Sequence, residues 1–233
     1  MLMEVATPPR QIRIEPEGRL QGRVYAIVKL ENFLKRAEGD IVLQVIPVVL
    51  CGQKVTLVPM EYKHIEALYE AGRYPNIWTV TQGRIDSLDD AREYVNKALE
   101  QRNALPFVIV DNESQKILGS TRFYDISVQN RSLEIGSTWL TPSVWRTYVN
   151  TECKYLLLKH CFESLGTSRV QFKTDSRNIR SQKAIERIGA VKEGVLRNHM
   201  ILPDGYVRDS VYYSIIDREW PEVKLRLELL MRQ

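Results

Sequence analysis

The most constraining feature of this sequence is the run from Leu133 to Ile188. Its pattern predicts a strand, an irregular loop and a long helix, followed by a second strand, loop and helix. The start of a helix presents unpaired backbone N–H groups and the positive end of the helix dipole. Two such units in succession offer two places to hold an anionic ligand, which suits a phosphorylated cofactor.

Length and composition indicate an ordinary globular protein. The chain has 233 residues, of which 44% are apolar and 27% are charged, so we expect one domain, alone or with an appendage, rather than a disordered or fibrous chain. The net charge of +4 identifies no partner. Residues 169–208 nevertheless hold nine Lys/Arg and only four Asp/Glu. This local surplus is either part of the anion site or a solvated cationic face.

The cysteines and the N-terminus favour an intracellular protein. Cys51, Cys153 and Cys161 lack the spacing of metal ligands, and reduced thiols are the simplest account of them. The chain shows neither a signal-peptide pattern nor a long uninterrupted apolar run. We therefore expect a cytoplasmic protein without a metal site, and neither nucleic acid nor a membrane as its partner.

Residues 1–47 form an extension that carries no motif with chemistry. Within and just beyond it, Val24–Arg36 fits a short helix and Ile41–Leu50 fits a strand. An added element on the main domain, a homodimer contact and a disordered tail all remain open for this segment.

Residues 48–233 are predicted to form an α+β domain, in which a mixed, mostly antiparallel central sheet is flanked by helices. One strand-helix-strand crossover interrupts the antiparallel order. The expected strands are 55–58, 106–110, 117–126, 133–140, 169–174, 191–202 and 206–216. The expected helices are 62–70, a helix capped by Ser87 that runs to about Arg102, 149–165, a helix capped by Asn178 that ends at Ile188, and 220–230.

Several stretches in this order resemble the GNAT superfamily of acetyl-coenzyme A dependent N-acetyltransferases. They are LEIGSTWLTPSVW, NTECKYLLLKHCFESLG, RVQFKTDSRNIRSQKAIERIGAVKEGVLR and DGYVRDSVYYSIIDREWPEVK. The likeness is closest to the RimJ/RimL-like branch, which includes enzymes that acetylate the N-terminal amines of ribosomal proteins. It covers roughly Val48 to Arg232.

The resemblance implies a GNAT-type fold in which the strands Leu133–Leu140 and Arg169–Thr174 splay apart. The pantetheine arm of acetyl-coenzyme A would lie in that gap, with the pyrophosphate at the start of the helix after Trp145. The family's glycine-rich phosphate loop is altered here, because its positions hold Trp145, Tyr148 and Asn150. Side chains at Tyr148 and Asn150 are therefore expected to crowd the phosphates. The cofactor-binding residues implied are Trp139, Leu140, Trp145, Arg146, Thr147, Val149, Asn150, Asn178 and Ser181.

Acetyl transfer to an amine needs a base, an oxyanion donor and an acid for the departing thiolate. Backbone N–H groups near Trp139 and Leu140 are candidates for the oxyanion. Glu134 is the first candidate base, since a carboxylate on this strand resembles the base of several GNAT enzymes. The alternative is that Glu134 is a polar residue on the solvent-facing side of an alternating strand.

Ser181 is the candidate acid, because a serine three residues after the asparagine lies near the cofactor sulfur in the enzymes that this branch resembles. Asn178 and Ser181 also fit a helix cap, and both roles are compatible. A carboxylate that the branch uses further along has no counterpart in Arg197–Met200. His199 is a substitute base if it faces the cleft, or else a structural histidine.

Five aromatic residues are candidates for lining an acceptor pocket, and packing in the core is the alternative for each of them. They are Trp78, Phe123, Tyr124, Trp139 and Tyr206.

The resemblance implies an acetyl-coenzyme A dependent N-acetyltransferase whose acceptor is a primary amine, on a protein N-terminus or a small molecule. The alternative is a non-catalytic coenzyme A binding or interaction module with an altered phosphate loop.

Overall fold

A computed structural model describes residues 43–80 and 83–232. Its centre is an eight-stranded sheet with the order β1-β2-β3-β4-β5-β6-β8-β7. The strands are β1 Leu50–Cys51, β2 Val55–Pro59, β3 Leu105–Asp111, β4 Ile117–Ser127, β5 Ser132–Leu140, β6 Arg169–Asp175, β7 Val191–Ile201 and β8 Val207–Ile216. Neighbouring strands are antiparallel except for the parallel pair β5 and β6. The predicted α+β class and the mostly antiparallel sheet are confirmed.

The helices lie where the apolar spacing predicts them. They are α1 Ile65–Gly72, α2 Leu88–Glu100, α3 Val149–Lys159, α4 Ile179–Arg187 and α5 Trp220–Met231. A π-helical turn, His160–Ser164, extends α3 almost to the predicted end at Leu165. Short 3-10 turns cover Tyr62–His64, Pro75–Ile77, Pro142–Val144 and Asp217–Glu219. Ser87 caps α2 as predicted, with its hydroxyl accepting from the backbone N–H of Asp90.

Two apolar clusters hold the helices to the sheet. One places Leu68, Val95 and Trp139 between α1, α2 and the sheet. The other is larger and packs Phe123 and Leu157 with the residues of α3 and α5. Burial of these side chains supplies the main favourable free energy of folding.

The first described residues correct one prediction. Strand geometry is confined to Leu50–Cys51, whereas Ile41–Leu50 was expected to be a strand. Residues 43–49 have no strand pairing, and Pro47 cannot donate a backbone hydrogen bond. Leu43, which is 1% exposed, accounts for part of the apolar pattern by packing its side chain into the core instead. The helix expected at Val24–Arg36, with Ile41 and Val42, lies outside the described residues.

Glu152 joins α3 to the turn between β1 and β2. Its buried carboxylate accepts hydrogen bonds from the backbone N–H groups of Gln53 (2.6 Å), Lys54 (3.1 Å) and Val55 (3.1 Å). Charge-assisted bonds of this kind are stronger than neutral ones. They hold the first turns of α3 in place against the edge of the sheet.

The pairing of β5 with β6 shows the predicted splay. Parallel partners run from Ser132↔Arg169 to Glu134↔Gln171 and then stop, although both strands continue. Beyond Glu134 the side of β5 that faces β6 has no strand partner.

No helix in the described ranges 43–80 and 83–232 is long and apolar enough to cross a bilayer.

Candidate active site

The gap between the splayed strands opens into a cleft of about 1340 Å³. Both strand ends and the starts of α3 and α4 line it. Trp78 and Tyr94, from the side of α1 and α2, line its other end. The cleft therefore joins a region of helix starts to an aromatic region through the parting of β5 and β6.

Glu134 lies at the point where the two strands separate. It is 4% exposed, so the alternative of a solvent-facing residue is wrong. Its Oε2 atom accepts from Gln171 Nε2 at 2.9 Å and forms an ion pair with Lys173 Nζ at 3.2 Å. Its Oε1 atom has no hydrogen bond to the described residues. One carboxylate oxygen is thus held in place, and the other remains able to accept a proton.

A β-bulge follows Glu134 on β5. Ser120 pairs with Trp139 and Arg122 with Gly136, so Ser137 and Thr138 together stand opposite one residue of β4. Ser137 has a φ of 44°. A bulge of this type interrupts the ladder and redirects backbone groups. Trp139 and Leu140, the predicted oxyanion region, line the cleft just beyond the bulge.

The side chain of Lys154 on α3 reaches the bulge from the face of the sheet that α3 covers. It is buried and donates to Thr138 Oγ1 at 2.6 Å. Thr138 Oγ1 also hydrogen-bonds to Thr121 Oγ1 at 2.8 Å. Burial lowers the pKa of Lys154 to about 8, because desolvation disfavours the charged ammonium. Within 43–80 and 83–232, no carboxylate lies within 4.0 Å of this ammonium.

The loop before α3 takes a tight path without glycine. Arg146 has a φ of 63°, in a region that glycine normally favours. Thr147 Oγ1 donates to the carbonyl of Val144 at 2.7 Å and accepts from the backbone N–H of Val149 at 3.3 Å. Trp145, Arg146, Thr147 and Asn150 line the cleft. The Val149 side chain instead lies in the apolar core.

Tyr148 does not crowd the cleft as expected. It is absent from the cleft lining, and the Lys54 ammonium lies 5.6 Å from the centroid of its ring. Its side chain therefore lies by the turn between β1 and β2 rather than by the predicted phosphate site. Asn150 does line the cleft. Of the two side chains that were expected to crowd the phosphates, the cleft therefore holds the small amide and not the tyrosine ring.

The start of α4 brings the second pair of predicted residues to the cleft. The Asn178 side chain accepts from the backbone N–H of Ser181 at 3.0 Å, which confirms the cap. The Ser181 hydroxyl has no hydrogen bond to the described residues. Arg180 lies over the Trp145 ring at 4.2 Å, linking the two helix starts. Lys183 and Arg187 add positive charge to the same lining.

His199 lies outside the cleft. Its Nδ1 atom is 2.9 Å from Ser210 Oγ, and its Nε2 atom is 3.3 Å from the Tyr212 hydroxyl. It lines a separate open depression along β7. These contacts support the structural interpretation of His199 over that of a substitute base.

The five aromatic candidates divide by environment. Trp78, Tyr124 and Trp139 line the cleft, where Trp139 Nε1 donates to the Tyr94 hydroxyl at 3.0 Å. Phe123 lies in the apolar core. The Tyr206 ring is covered by the guanidinium of Arg177 at 3.4 Å.

Sequence reasoning missed Lys154, Arg122 and Lys173, all of which line the cleft. The only signal for Lys154 was a lysine in the apolar register of a long helix. Arg122 and Lys173 sit on strands, where the alternation of side chains alone does not reveal which face is covered by helices. Their position became evident only with the layers in place.

Comparison with known proteins identifies the family. The description of the matching family is acetyltransferase (GNAT) domain, and the match spans residues 54–191, more than half of the chain. Acetyltransferases of this fold use acetyl-coenzyme A.

Individual relatives agree with this family. An uncharacterised N-acetyltransferase of Bacillus licheniformis, p20, is 26% identical over 177 residues, covering 73% of this chain and 97% of that protein. The crystal structure of a GCN5-related N-acetyltransferase from Brucella melitensis has a TM-score of 0.76 at 27% identity and covers 80% of this chain and 86% of its own. The ribosomal-protein-serine acetyltransferase of Escherichia coli (strain K12) is 28% identical over 137 residues, covering 58% of this chain and 75% of that enzyme. The chain therefore belongs to the GNAT family of acetyl-coenzyme A dependent N-acetyltransferases, in its RimJ/RimL-like branch.

Proposed function

We propose that this enzyme transfers the acetyl group to a primary amine, on a protein N-terminus or a small molecule, by direct attack of the amine on the thioester. The observation that carries the proposal is the parting of β5 and β6 directly after Glu134. A buried carboxylate stands at the parting, with one oxygen that makes no hydrogen bond to the described residues, and two helix starts lie along the same cleft.

The residues present fit coenzyme A. Helix starts bind phosphates through their N–H groups and dipoles, and four cations line the cleft beside them: Arg146, Arg180, Lys183 and Arg187. The unpaired side of β5 supplies backbone groups for an amide-containing arm. Acetyl-coenzyme A supplies an activated acyl thioester when it is bound there.

Glu134 is proposed as the base. A free α-amine has a pKa near 8, so only a modest acceptor is needed to remove its proton near neutral pH. Gln171 and Lys173 fix the Oε2 atom, which leaves Oε1 to receive the proton directly or through a water. The backbone N–H groups near Trp139 and Leu140 are proposed to stabilise the oxyanion.

Ser181 is proposed as the acid that protonates the departing thiolate. Its backbone N–H is committed to Asn178, which fixes the residue in the first turn of α4. Its hydroxyl is free of bonds to the described residues and lines the cleft. The cap and the acid role are compatible, since the cap engages only the backbone of Ser181.

The test is the release of free coenzyme A thiol with a panel of primary amines and N-terminal peptides. Glu134→Gln and Ser181→Ala should each lower the acceptor-dependent rate by ~10²- to 10⁴-fold, while affinity for acetyl-coenzyme A changes only severalfold. Glu222→Gln and Ser143→Ala alter exposed residues outside the cleft and should keep the wild-type rate. Unchanged rates in Glu134→Gln and Ser181→Ala would remove both assignments. Cofactor binding without release by any acceptor would favour a ligand-binding module.

A further inference from the structure

Arg122 is a buried cation at the acceptor end of the cleft. It lies on β4 opposite Gly136, is 6% exposed, and its side chain is part of the cleft lining. Its guanidinium lies 4.7 Å from the ring centroid of Tyr94 and 5.9 Å from that of Tyr124. The two tyrosines place the charge without giving it an acceptor of comparable strength.

The hydrogen-bond acceptors that the described residues offer to Arg122 are neutral groups, and the Tyr94 hydroxyl is one of them. The Nη1 atom donates to Gln101 Oε1 at 3.5 Å, the outer limit of such a bond. The Nε atom is buried and has no hydrogen-bond partner in the described part of the chain. Among the ion pairs of residues 43–80 and 83–232, none joins Arg122 to a carboxylate within 4.0 Å.

Two other cations that line the same cleft, Lys154 and Arg208, are compensated in ways that Arg122 is not. Lys154 is equally buried, but its pKa falls to about 8, so it can lose its charge. Arg208 has the carboxylate of Asp175 at 3.9 Å. An arginine stays protonated in proteins, and a buried charge is costly unless it is paired. Arg122 therefore keeps its charge, and among residues 43–80 and 83–232 it has tyrosine rings but no carboxylate beside it.

We infer that Arg122 binds a carboxylate of the acceptor, an inference that rests on the proposed acetylation of an amine in this cleft. The planar guanidinium fork matches a carboxylate in a bidentate pair. Glu134 pairs with Tyr124 and Arg122 with Gly136, so both side chains project from one face as diagonal neighbours, roughly 7–8 Å apart at the backbone. The amine lies towards Glu134 and the carboxylate towards Arg122.

This geometry defines the acceptor class as a molecule with an amine and a carboxylate a few bonds apart. A free amino acid meets this description, and so does a peptide whose first residue is Asp or Glu. A neutral acceptor would leave guanidinium donors without a charged partner in the complex, which costs binding free energy. Selection against neutral analogues is the expected consequence.

The experiment compares matched acceptors that differ only in the carboxylate. The pairs are free amino acids with their amides, and peptides that begin with Asp with those that begin with Asn. The wild type should show a higher kcat/KM for the acidic member of at least one pair. Arg122→Gln should lower that acid-to-amide ratio by ~10- to 100-fold, the strength of a charge-assisted bond. The type of pair that responds distinguishes an amino acid from a peptide.

Arg218→Gln is the charge-matched control, because Arg218 is exposed and lies outside the cleft lining. Its acid-to-amide ratio should equal that of the wild type. The ratio is internal to each preparation, so partial unfolding of Arg122→Gln does not affect it. If Arg122→Gln does not fold, the wild-type ratio decides by itself.

The outcomes separate the two proposals. Absence of acceptor-dependent release by the wild type with any amine overturns the proposed function. Release that is equal for acids and amides, or a ratio that Arg122→Gln leaves unchanged, overturns the role of Arg122 while amine acetylation stands.

Discussion

At the scale of single residues, the cleft is defined by buried charges that are compensated in different ways. Glu134 is held by Gln171 and Lys173. Lys154 donates to the Thr138 hydroxyl, and burial lowers its pKa to about 8. Burial keeps both side chains in one geometry, and for Lys154 it also favours the neutral form.

The lowered pKa of Lys154 predicts a specific dependence of stability on pH. The lysine keeps its proton up to about pH 10.5 when unfolded but loses it near pH 8 in the fold. Between these values the unfolded state binds more protons, so the contribution of Lys154 to stability rises with pH. Its full cost, roughly 3 kcal/mol, is present below pH 8. Lys154→Met should therefore be more stable than the wild type at pH 7, by ~1–3 kcal/mol.

Urea denaturation from pH 7 to 10 tests this prediction. The advantage of Lys154→Met over the wild type should shrink as the pH rises from 8 to 10. The difference between the two proteins is needed, because burial raises the pKa of Cys153 to about 12, and that thiol opposes the trend above pH 9 in both. Lys159→Met, an exposed change on the same helix, should show no such slope. A difference that is constant with pH would contradict the assignment.

At the scale of elements, the bulge of β5 gives the cleft its shape. Gly119 of β4 pairs with Leu140 and has a φ of 157°. A Cβ atom at this position would overlap the carbonyl oxygen of Trp139 and lie 3.0 Å from the Cα of Leu140. The close approach of β4 to the far end of β5, beyond the point where β5 and β6 part, therefore requires glycine.

Gly119→Ala should accordingly be strongly destabilising, because the contacting atoms belong to backbone that cannot move aside. The expected loss exceeds ~3 kcal/mol, in the range of overpacking combined with backbone strain. Gly194→Ala is the matched control, since a Cβ on this strand residue meets nothing within 4 Å. Its unfolding free energy should stay within about 0.5 kcal/mol of the wild type. Equal stability of the two variants, measured by chemical denaturation, would show that the close approach is not required.

At the scale of the whole molecule, one cleft connects the two faces of the sheet. Helices α1 and α2 cover one face and α3 and α5 the other. The starts of α3 and α4 meet where β5 and β6 part. A ligand in this cleft would contact residues from β4, β5, β6, α3 and α4 together, so its binding should stabilise the described domain as a unit.

Acetyl-coenzyme A should therefore raise the melting temperature of the full chain. At a concentration of 100 times Kd the added stability is about 2.7 kcal/mol, which corresponds to a rise of roughly 5–10 °C for a protein of this size. S-acetyl-pantetheine lacks the nucleotide phosphates and should give a much smaller shift at the same concentration. The double variant Arg146→Gln and Arg180→Gln should reduce the shift by acetyl-coenzyme A towards that smaller value. Equal shifts with both ligands in the wild type would exclude a role for the helix starts and their cations.

Much of the architecture could be predicted because its signals are local. Ser87 and Asn178 are helix caps, and short-range hydrogen bonds of this kind can be inferred from neighbouring residues. The strand predicted at Ile41–Leu50 was wrong over residues 43–49, because apolar residues such as Leu43 also serve irregular segments that pack on a core. The sequence does not distinguish these two uses of an apolar side chain.

Local patterns in the amino-acid sequence predict the order of most strands and helices and the family, and they single out Glu134 and Ser181 as candidate catalytic residues. Long-range packing places Tyr148 and His199 outside the cleft. It also brings Lys154 and Arg122 into the lining without carboxylate partners among residues 43–80 and 83–232. Periodicity and capping act between residues close in the chain. Burial and charge pairing depend on which layers cover each face, and that is set by contacts between residues far apart in sequence.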